Sequence, residues 1–207
     1  MKKTTSLGEL IANAISHGVG VLLSITALIL LLVKANTSLE VISGLIFGIS
    51  LIVLYLSSTL FHSFPEKLKT VYTVFQRFDH SSIFILIAGT YTPFLLLLVN
   101  NTQGYVMLAL LWSFTLIGII MKSIWISKFQ LIHLAIYLIM GWSVLAVFTE
   151  VYNGLNEYFM FLLFGGLSYT IGVAFYLARF KYSHFVWHIF VLGGSIFHFL
   201  CIYLSLY

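Results

Sequence analysis

Seven apolar stretches, each long enough to cross a lipid bilayer, occupy most of this chain of 207 residues. A helix rises 1.5 Å per residue, so about 20 residues cross the roughly 30 Å of hydrocarbon in a membrane. Over so many apolar residues in lipid, the backbone can satisfy its hydrogen bonds only as a helix. The sequence therefore predicts an all-α integral membrane fold, a seven-transmembrane helix bundle. Its spans lie near residues 15–34, 40–62, 79–99, 104–122, 130–150, 157–178 and 184–206.

The composition excludes an ordinary soluble domain. Apolar residues make up 61% of the chain and charged residues only 8%, against roughly 25% charged in an average soluble domain. The formal net charge is +4, but the basic residues lie singly or in pairs at the ends of apolar stretches. This distribution argues against nucleic acid as a partner and for orientation in a bilayer. The connections are short, so residues 1–207 are expected to form a single domain.

The positions of Lys and Arg predict which side is cytoplasmic. Nine of the ten lie at the N-terminus or in the loops after spans 2, 4 and 6: Lys2, Lys3, Lys67, Lys69, Arg77, Lys122, Lys128, Arg179 and Lys181. The opposite side has only Lys34. By the positive-inside rule the N-terminus is cytoplasmic, and after seven spans the C-terminus at Tyr207 is outside. The chain is therefore expected to be a multi-pass protein of the plasma membrane.

Three histidines and an aspartate occur at span ends that share the cytoplasmic side. His62 ends span 2, Asp79 begins span 3, and His184 and His188 begin span 7. Because successive spans alternate in direction, all four residues are expected at the cytoplasmic edge. His184 and His188 are four residues apart, which puts both rings on one face of a helix. Ionisable residues at membrane depth are costly, so such a group indicates a functional site.

These residue types have metal-ligand chemistry. Neutral imidazole is a common zinc ligand, and three imidazoles would leave one position of a tetrahedral site open. Asp79 could hold water at that position or support a histidine, and Ser58, four residues before His62, could donate a hydrogen bond. An alternative is that the histidines are separate residues at the headgroups. Asp79 would then pair with Arg77 or cap the start of span 3.

Other polar residues leave their roles open. A polar stripe on the first helix is formed by Glu9, Asn13 and His17, which recur every four residues. Either this stripe has a functional role, or it is the water-facing side of a helix that lies at the membrane interface. His80 is expected to point to a different face from Asp79, toward the headgroups. His198, deeper in span 7, is expected to hydrogen-bond between helices rather than bind a metal.

Four ordered motifs resemble those of the progestin and adipoQ receptor (PAQR) family, in particular its hemolysin III branch. NAISH, residues 13–17, is similar to the family's Asn-x-x-x-His at the entry to span 1, and SSTLFH, residues 57–62, to its Ser-x-x-x-His at the end of span 2. FDHSSI, residues 78–83, is similar to the segment with the span 3 aspartate, and SHFVWH, residues 183–188, to the paired-histidine segment of span 7. The resemblance covers nearly the whole chain.

The resemblance implies a seven-helix fold with a cytoplasmic N-terminus and a zinc ion held by His62, His184 and His188, with Asp79 reached through water. The family also resembles alkaline ceramidases, which implies zinc-dependent hydrolysis of a lipid amide or ester. In that reaction Asp79 would accept a proton and Ser58 would donate to the developing oxyanion. Membrane lipids are the expected partners. The short N-terminus favours a protein of the bacterial inner membrane over a hormone receptor.

Two other functions stay open from the sequence. In one, a structural zinc joins spans 2 and 7 of a non-enzymatic, receptor-like or membrane-homeostasis protein. In the other, the protein is a pore, as the hemolysin name indicates. A channel needs a polar lining over its full depth, whereas segments of the outer half such as Leu28–Val33 and Phe94–Val99 are almost wholly apolar.

Overall fold

The computed structural model describes residues 6–126 and 128–207, and it is helical over almost all of them. Within these ranges the α-helices are α1 (Leu7–Lys34), α2 (Ser38–Ser63), α3 (Lys69–Pro93), α4 (Thr102–Ile124), α5 (Gln130–Gly141), α6 (Phe148–Leu155), α7 (Phe159–Leu177) and α8 (Ser183–Ser205). A π-helical segment, Phe94–Val99, continues α3, and the 3-10 segments Ser143–Val147 and Asn156–Tyr158 flank α6. Lys2 and Lys3, which were counted for the cytoplasmic side, lie outside the described residues.

Six continuous helical stretches of the described chain are long and apolar enough to cross a membrane. The prediction of an all-helical membrane protein is therefore confirmed. The predicted spans 1–4 and 7 each match one stretch, whereas the predicted spans 130–150 and 157–178 both fall within a stretch of 48 residues, Gln130–Leu177. Helix length and hydropathy do not divide this stretch, so the count of seven spans stays a prediction.

Two helices begin earlier than the sequence predicted. α1 starts at Leu7 because Ser6 and Glu9 form a capping box, in which each side chain accepts a hydrogen bond from the other residue's backbone N–H. α3 starts at Lys69 rather than near 79, so Asp79 lies well inside a helix instead of at its first turn. The alternative in which Asp79 caps the start of this helix was therefore wrong, whereas the point at which span 3 enters the membrane stays a prediction. Residues 70–78 continue the helix, although they are too polar to read as part of a membrane span.

Hydrogen bonds between distant residues define one end of the bundle. The Tyr207 hydroxyl lies 2.9 Å from Ser43 Oγ, and Lys34 Nζ donates to the Tyr203 carbonyl at 2.9 Å. The end of α1, the start of α2 and the end of α8 therefore lie together. The side-chain amide of Gln103, in the first turn of α4, donates to the Ala146 carbonyl at 2.9 Å. The segment that follows α5 therefore lies beside the start of α4.

The helices of the core pack closely because several contacts are made across glycine. A Cβ on Gly89 would lie 2.3 Å from Ser50 Oγ, and a Cβ on Gly20 would lie 2.4 Å from the Tyr55 ring. Gly89 therefore lets α3 approach α2 closely, and Gly20 lets α1 do the same. A side chain at either position would force the helices apart. The outward surface carries many exposed large apolar side chains, as lipid contact requires. The polar residues are concentrated inside, where the site is built.

Candidate metal centre

The last turn of α2 and the first two turns of α8 bring three histidines to one point. Ligand nitrogens of His62, His184 and His188 all lie within 4.8 Å of one another. The ring centroids are 5.1 Å apart for His62 and His184, 5.0 Å for His62 and His188, and 4.7 Å for His184 and His188. His62 and His188 are buried, and His184 is half-buried. Within the part of the chain that the structure describes, this is the one such group that could hold a metal ion.

The donor set fits a zinc ion. Two nitrogens bound to one zinc at 2.0–2.1 Å in a tetrahedral arrangement are about 3.4 Å apart. The largest separation here, 4.8 Å, exceeds this by an amount that small rotations of the three side chains can close. Three imidazoles without a fourth protein ligand in the group leave one coordination position open. The structure thus brings together the three predicted histidines in an arrangement that could hold a metal.

The surroundings of His188 leave its Nε2 atom available for a metal. Ser16 Oγ donates to the Asn13 carbonyl at 2.9 Å, so the hydroxyl proton is already engaged. Nδ1 of His188 lies 3.1 Å from Ser16 Oγ and 3.3 Å from the same carbonyl, and both of these atoms can then only accept. Nδ1 therefore carries the proton and Nε2 the lone pair. Helix α1 thus orients a candidate metal ligand and contributes no residue to the candidate ligand group itself.

The polar stripe of α1 is buried against the neighbouring helices rather than facing the headgroups. Glu9, Asn13 and His17 are only 8%, 2% and 3% exposed. Glu9 accepts hydrogen bonds from the backbone N–H of Ser6 and from that of Tyr182, each at 2.9 Å. Tyr182 immediately precedes α8 and has a left-handed backbone, with φ of 64°. Glu9 therefore connects the start of α1 to the start of the helix that carries His184 and His188.

His17 forms one wall of the site. Its ring is stacked on that of His188, with centroids 3.5 Å apart and planes 12° apart, and it meets the Tyr55 ring edge-on at 5.0 Å. Neither ring nitrogen of His17 hydrogen-bonds to a described residue. His17 does not belong to the ligand group.

Asp79 and Ser58 lie beside the three histidines. Both residues line the same cavity as His184 and His188. The Asp79 carboxylate is outside the ligand group, which agrees with a residue that acts through water, although that role stays a prediction. Ser58 Oγ is buried beside that carboxylate and makes no other hydrogen bond to a described residue. The alternative ion pair with Arg77 is not formed, since the carboxylate contacts His80 instead.

Two further histidines test the sequence reasoning. The expectation that His80 points away from Asp79 was wrong: its Nδ1 lies 3.4 Å from Asp79 Oδ2 and donates to the Gln76 carbonyl at 2.8 Å. No signal in the sequence places the ring there, because the side chain folds back along its own helix. His198 was correctly predicted to join helices, since its Nε2 donates to the Leu162 carbonyl of α7 at 3.2 Å.

A cavity of about 160 Å³ leads away from the histidines between α3, α5, α7 and α8. His184 and His188 of the candidate metal site line it, as do the polar residues Lys122, Gln130 and His133. Its other walls are mostly apolar or aromatic: Ile83, Leu86, Ile87, Leu134, Tyr137, Leu138, Trp187 and Val191. A second cavity of about 110 Å³ adjoins it and shares the lining residues Thr90, Tyr91, Gly141, Trp142, Gly166 and His198. This second space is lined almost wholly by apolar side chains. Sequence reasoning could not find either cavity.

The fold and the site define a helical, multi-pass membrane protein with a buried histidine triad able to bind a metal. The chain matches the profile of the family described as Haemolysin-III related over residues 8–199, and it therefore belongs to that family. It is 44% identical over 202 residues to the Hemolysin-3 homolog of Bacillus subtilis (strain 168), a match that covers 95% of this chain and 94% of that protein. It is 40% identical over 207 residues to Hemolysin-3 of Bacillus cereus, covering 97% and 93%.

A human relative is more distant. The chain is 31% identical over 203 residues to the Monocyte to macrophage differentiation factor of Homo sapiens, covering 95% of this chain and 84% of that protein. The resemblance to the PAQR family that the four motifs indicated is thereby confirmed.

Proposed function

We propose that this protein is a zinc-dependent hydrolase of a lipid amide or ester, similar to a ceramidase, that works at the cytoplasmic edge of the bacterial plasma membrane. The observation that carries this proposal is the pairing of the histidine triad with an apolar cavity. A structural zinc is normally enclosed by four protein ligands. Here His184 and His188 of the triad line a mostly apolar cavity, in which an acyl chain could lie with its carbonyl toward the triad.

His62, His184 and His188 would hold a zinc ion, which when bound would supply activation of a water molecule and polarisation of the substrate carbonyl. His188 is held for this task by its Nδ1–H, which is engaged with Ser16 Oγ and the Asn13 carbonyl. The ring of His17 stacks on one face of the His188 ring and so restricts the rotation of that ring. Both contacts keep the Nε2 lone pair directed into the site.

In this proposal Asp79 accepts the proton of the attacking water and returns it to the nitrogen or oxygen that leaves as the acyl bond breaks. Its carboxylate contacts His80 Nδ1 at 3.4 Å and lines the same cavity as His184 and His188. Ser58 donates its hydroxyl to the oxygen that becomes negative as the carbonyl is attacked. Its Oγ is buried beside the Asp79 carboxylate and makes no other hydrogen bond to a described residue.

Seven crossings with a cytoplasmic N-terminus complete the proposal. A straight helix of 48 residues would be about 72 Å long, more than twice the hydrocarbon thickness, at 1.5 Å per residue. The hydrogen bond from Gln103 to Ala146 supports a reversal within this stretch, so that Gln130–Leu177 crosses twice. The excess of Lys and Arg beside the histidines supports a cytoplasmic site.

The name hemolysin, which the two Bacillus relatives carry, raises the alternative of a pore. The second cavity argues against it, since it is lined by residues such as Phe94, Leu95, Val147, Val151 and Leu162. An ion path requires polar groups or water along the whole depth of the membrane. The hydrolase is therefore the better-supported function.

Purified protein offered a panel of N-acyl and O-acyl lipids tests the proposal through release of fatty acid, measured by mass spectrometry. We expect turnover that is lost on chelation, restored by zinc, and absent from His188→Ala. The exposed Glu150→Gln, remote from the site, is the matched variant that should retain turnover. If the zinc-loaded native protein cleaves no lipid and His188→Ala merely unfolds, the metal is structural and the protein is not an enzyme.

A further inference from the structure

Lys122 is placed unusually for a lysine near a helix end. It lies in the last turn of α4 and is only 3% exposed, whereas lysines at this depth ordinarily extend to the headgroups. Among the residues that the structure describes, every other Lys and Arg is at least partly exposed. Its ammonium group makes no hydrogen bond or ion pair with another described residue. A buried charge without a partner is strongly unfavourable, so a counter-ion is expected there.

His133 provides a second, independent observation at the same place. It lies in the first turn of α5, is 1% exposed, and neither of its ring nitrogens hydrogen-bonds to a described residue. Lys122, His133 and Gln130 all line the larger cavity. Helix α5 also starts without a side-chain cap, so the free N–H groups of its first turn add partial positive charge.

The donors on the α4–α5 side of the cavity favour an anionic ligand. The cavity lining contains one ammonium group, that of Lys122, and one carboxylate, that of Asp79. The carboxylate attracts Lys122 electrostatically, but it contacts His80 and forms no ion pair with the lysine. Unpaired donors therefore remain on the α4–α5 side of the cavity, which is distinct from the triad on α2 and α8.

We propose that Lys122, His133 and Gln130 form a subsite for the phosphate of an anionic phospholipid. The lipid's acyl chains lie along the apolar walls of the cavity. A phosphate offers several acceptor oxygens to the lysine ammonium, the imidazole N–H and the amide. A lipid fits better than free phosphate, because the subsite faces an apolar space that continues into the second cavity. Binding at this subsite does not require turnover. That the bound lipid is also the substrate rests on the proposed function.

An uncleavable probe separates binding from hydrolysis. Ether-linked dioctyl phosphatidic acid contains no amide or ester, and the corresponding dioctyl glycerol diether is its neutral counterpart. Binding of each to the full-length protein in detergent is measured by native mass spectrometry and titration calorimetry. The variants are Lys122→Met, which keeps the length and removes the charge, Lys122→Arg, which keeps the charge, and Lys67→Met, which removes an exposed charge on the same side.

We expect the native protein to prefer the phosphatidic acid, and Lys122→Met to weaken its binding by about tenfold or more, as loss of a charge-assisted hydrogen bond predicts. Lys122→Arg should retain most of the affinity, Lys67→Met all of it, and neutral diether should bind every variant alike. Lys122→Met should also have a melting temperature at or above the native one, because an unpaired buried charge is removed. That readout excludes misfolding as the cause.

Three results would overturn the proposed subsite. The first is equal affinity of the native protein for the two probes, and the second is an equal loss of phosphatidic acid affinity in Lys122→Met and Lys67→Met. The third is displacement of the phosphatidic acid by inorganic phosphate, which would assign the site to a free anion. Because the probe cannot be cleaved, a failure of the hydrolase proposal leaves this result unchanged.

Discussion

The Nδ1 atom of His188 lies 3.1 Å from Ser16 Oγ, across 172 residues of sequence. The hydroxyl donates its own proton to the Asn13 carbonyl and so accepts the imidazole N–H. One residue of α1 thereby determines which nitrogen of an α8 histidine is available to a metal. Loss of such a hydrogen-bond partner of a metal ligand typically lowers metal affinity by about 10-fold to 100-fold.

Ser16→Ala should weaken zinc binding by about 10-fold to 100-fold, because His188 loses an acceptor that orients its ring. Competition with a chromogenic chelator measures the affinity. Ser24→Ala is the matched control: Ser24 is also buried in α1, but its hydroxyl donates to the Gly20 carbonyl, away from the site. Equal zinc affinity of the native protein and Ser16→Ala would show that Ser16 does not orient His188 and that the Asn13 carbonyl alone accepts its Nδ1–H.

If the proposed reaction holds, Asp79→Asn should retain zinc and lower kcat by about 10² to 10⁴, because the carboxylate lies outside the ligand group and is the proposed proton acceptor. Metal content by mass spectrometry and turnover of the lipid substrate are measured on the same preparation. Glu150→Gln makes the same chemical change at an exposed position and should leave both quantities as they are. Loss of zinc from Asp79→Asn would instead make Asp79 a direct ligand.

Glu9→Ala should destabilise the protein more than Glu40→Ala does, by about 1.5–3 kcal/mol, the usual contribution of a hydrogen bond to a charged group. Each glutamate belongs to a capping box, at the start of α1 and of α2 respectively. Only Glu9 also accepts from the Tyr182 backbone before α8, at 2.9 Å. Thermal unfolding of the two variants in detergent gives the comparison. Similar losses would mean that the contact with Tyr182 adds nothing to stability.

Gly165→Ala should destabilise the bundle by about 1–3 kcal/mol, the usual cost of overpacking. A Cβ at this position would lie 2.1 Å from the His198 ring, which joins α8 to α7. The adjacent Gly166→Ala is the control, because its nearest neighbour is Trp142 at 4.0 Å. That variant should be neutral or slightly stabilising, since alanine favours helix over glycine. Unfolding temperatures that rank the two variants in the opposite order would contradict the packing described for His198.

The histidine triad was predictable because the span directions alone bring it together. His62 ends one long helix and His184 and His188 begin another, so hydropathy and alternation are enough to place them on one side. The length and composition of the helices are local properties, and a sequence carries them without any knowledge of neighbours. The same holds for the pairing of His184 with His188, since four residues make one helical turn.

The sequence did not predict where the polar groups between helices would point. Asp79 was placed at a helix start, but the helix begins ten residues earlier, because 70–78 is helical without being apolar. His80 was predicted to point away from Asp79, whereas the structure shows the two in contact. Lys122 was used only to predict the orientation in the membrane, whereas in the structure it lines the cavity. Each of these outcomes depends on packing against other helices, which no local pattern records.

The amino-acid sequence by itself thus determined the membrane class, the helices and the three residues of the triad, because hydrocarbon selects length and apolarity segment by segment. The tertiary structure alone decided that Asn13, Ser16 and His17 support the triad and that an apolar cavity opens beside it. The reason is that burial and hydrogen-bond partners are fixed by contacts between residues as far apart as Ser16 and His188. Such contacts exist only once the helices have packed.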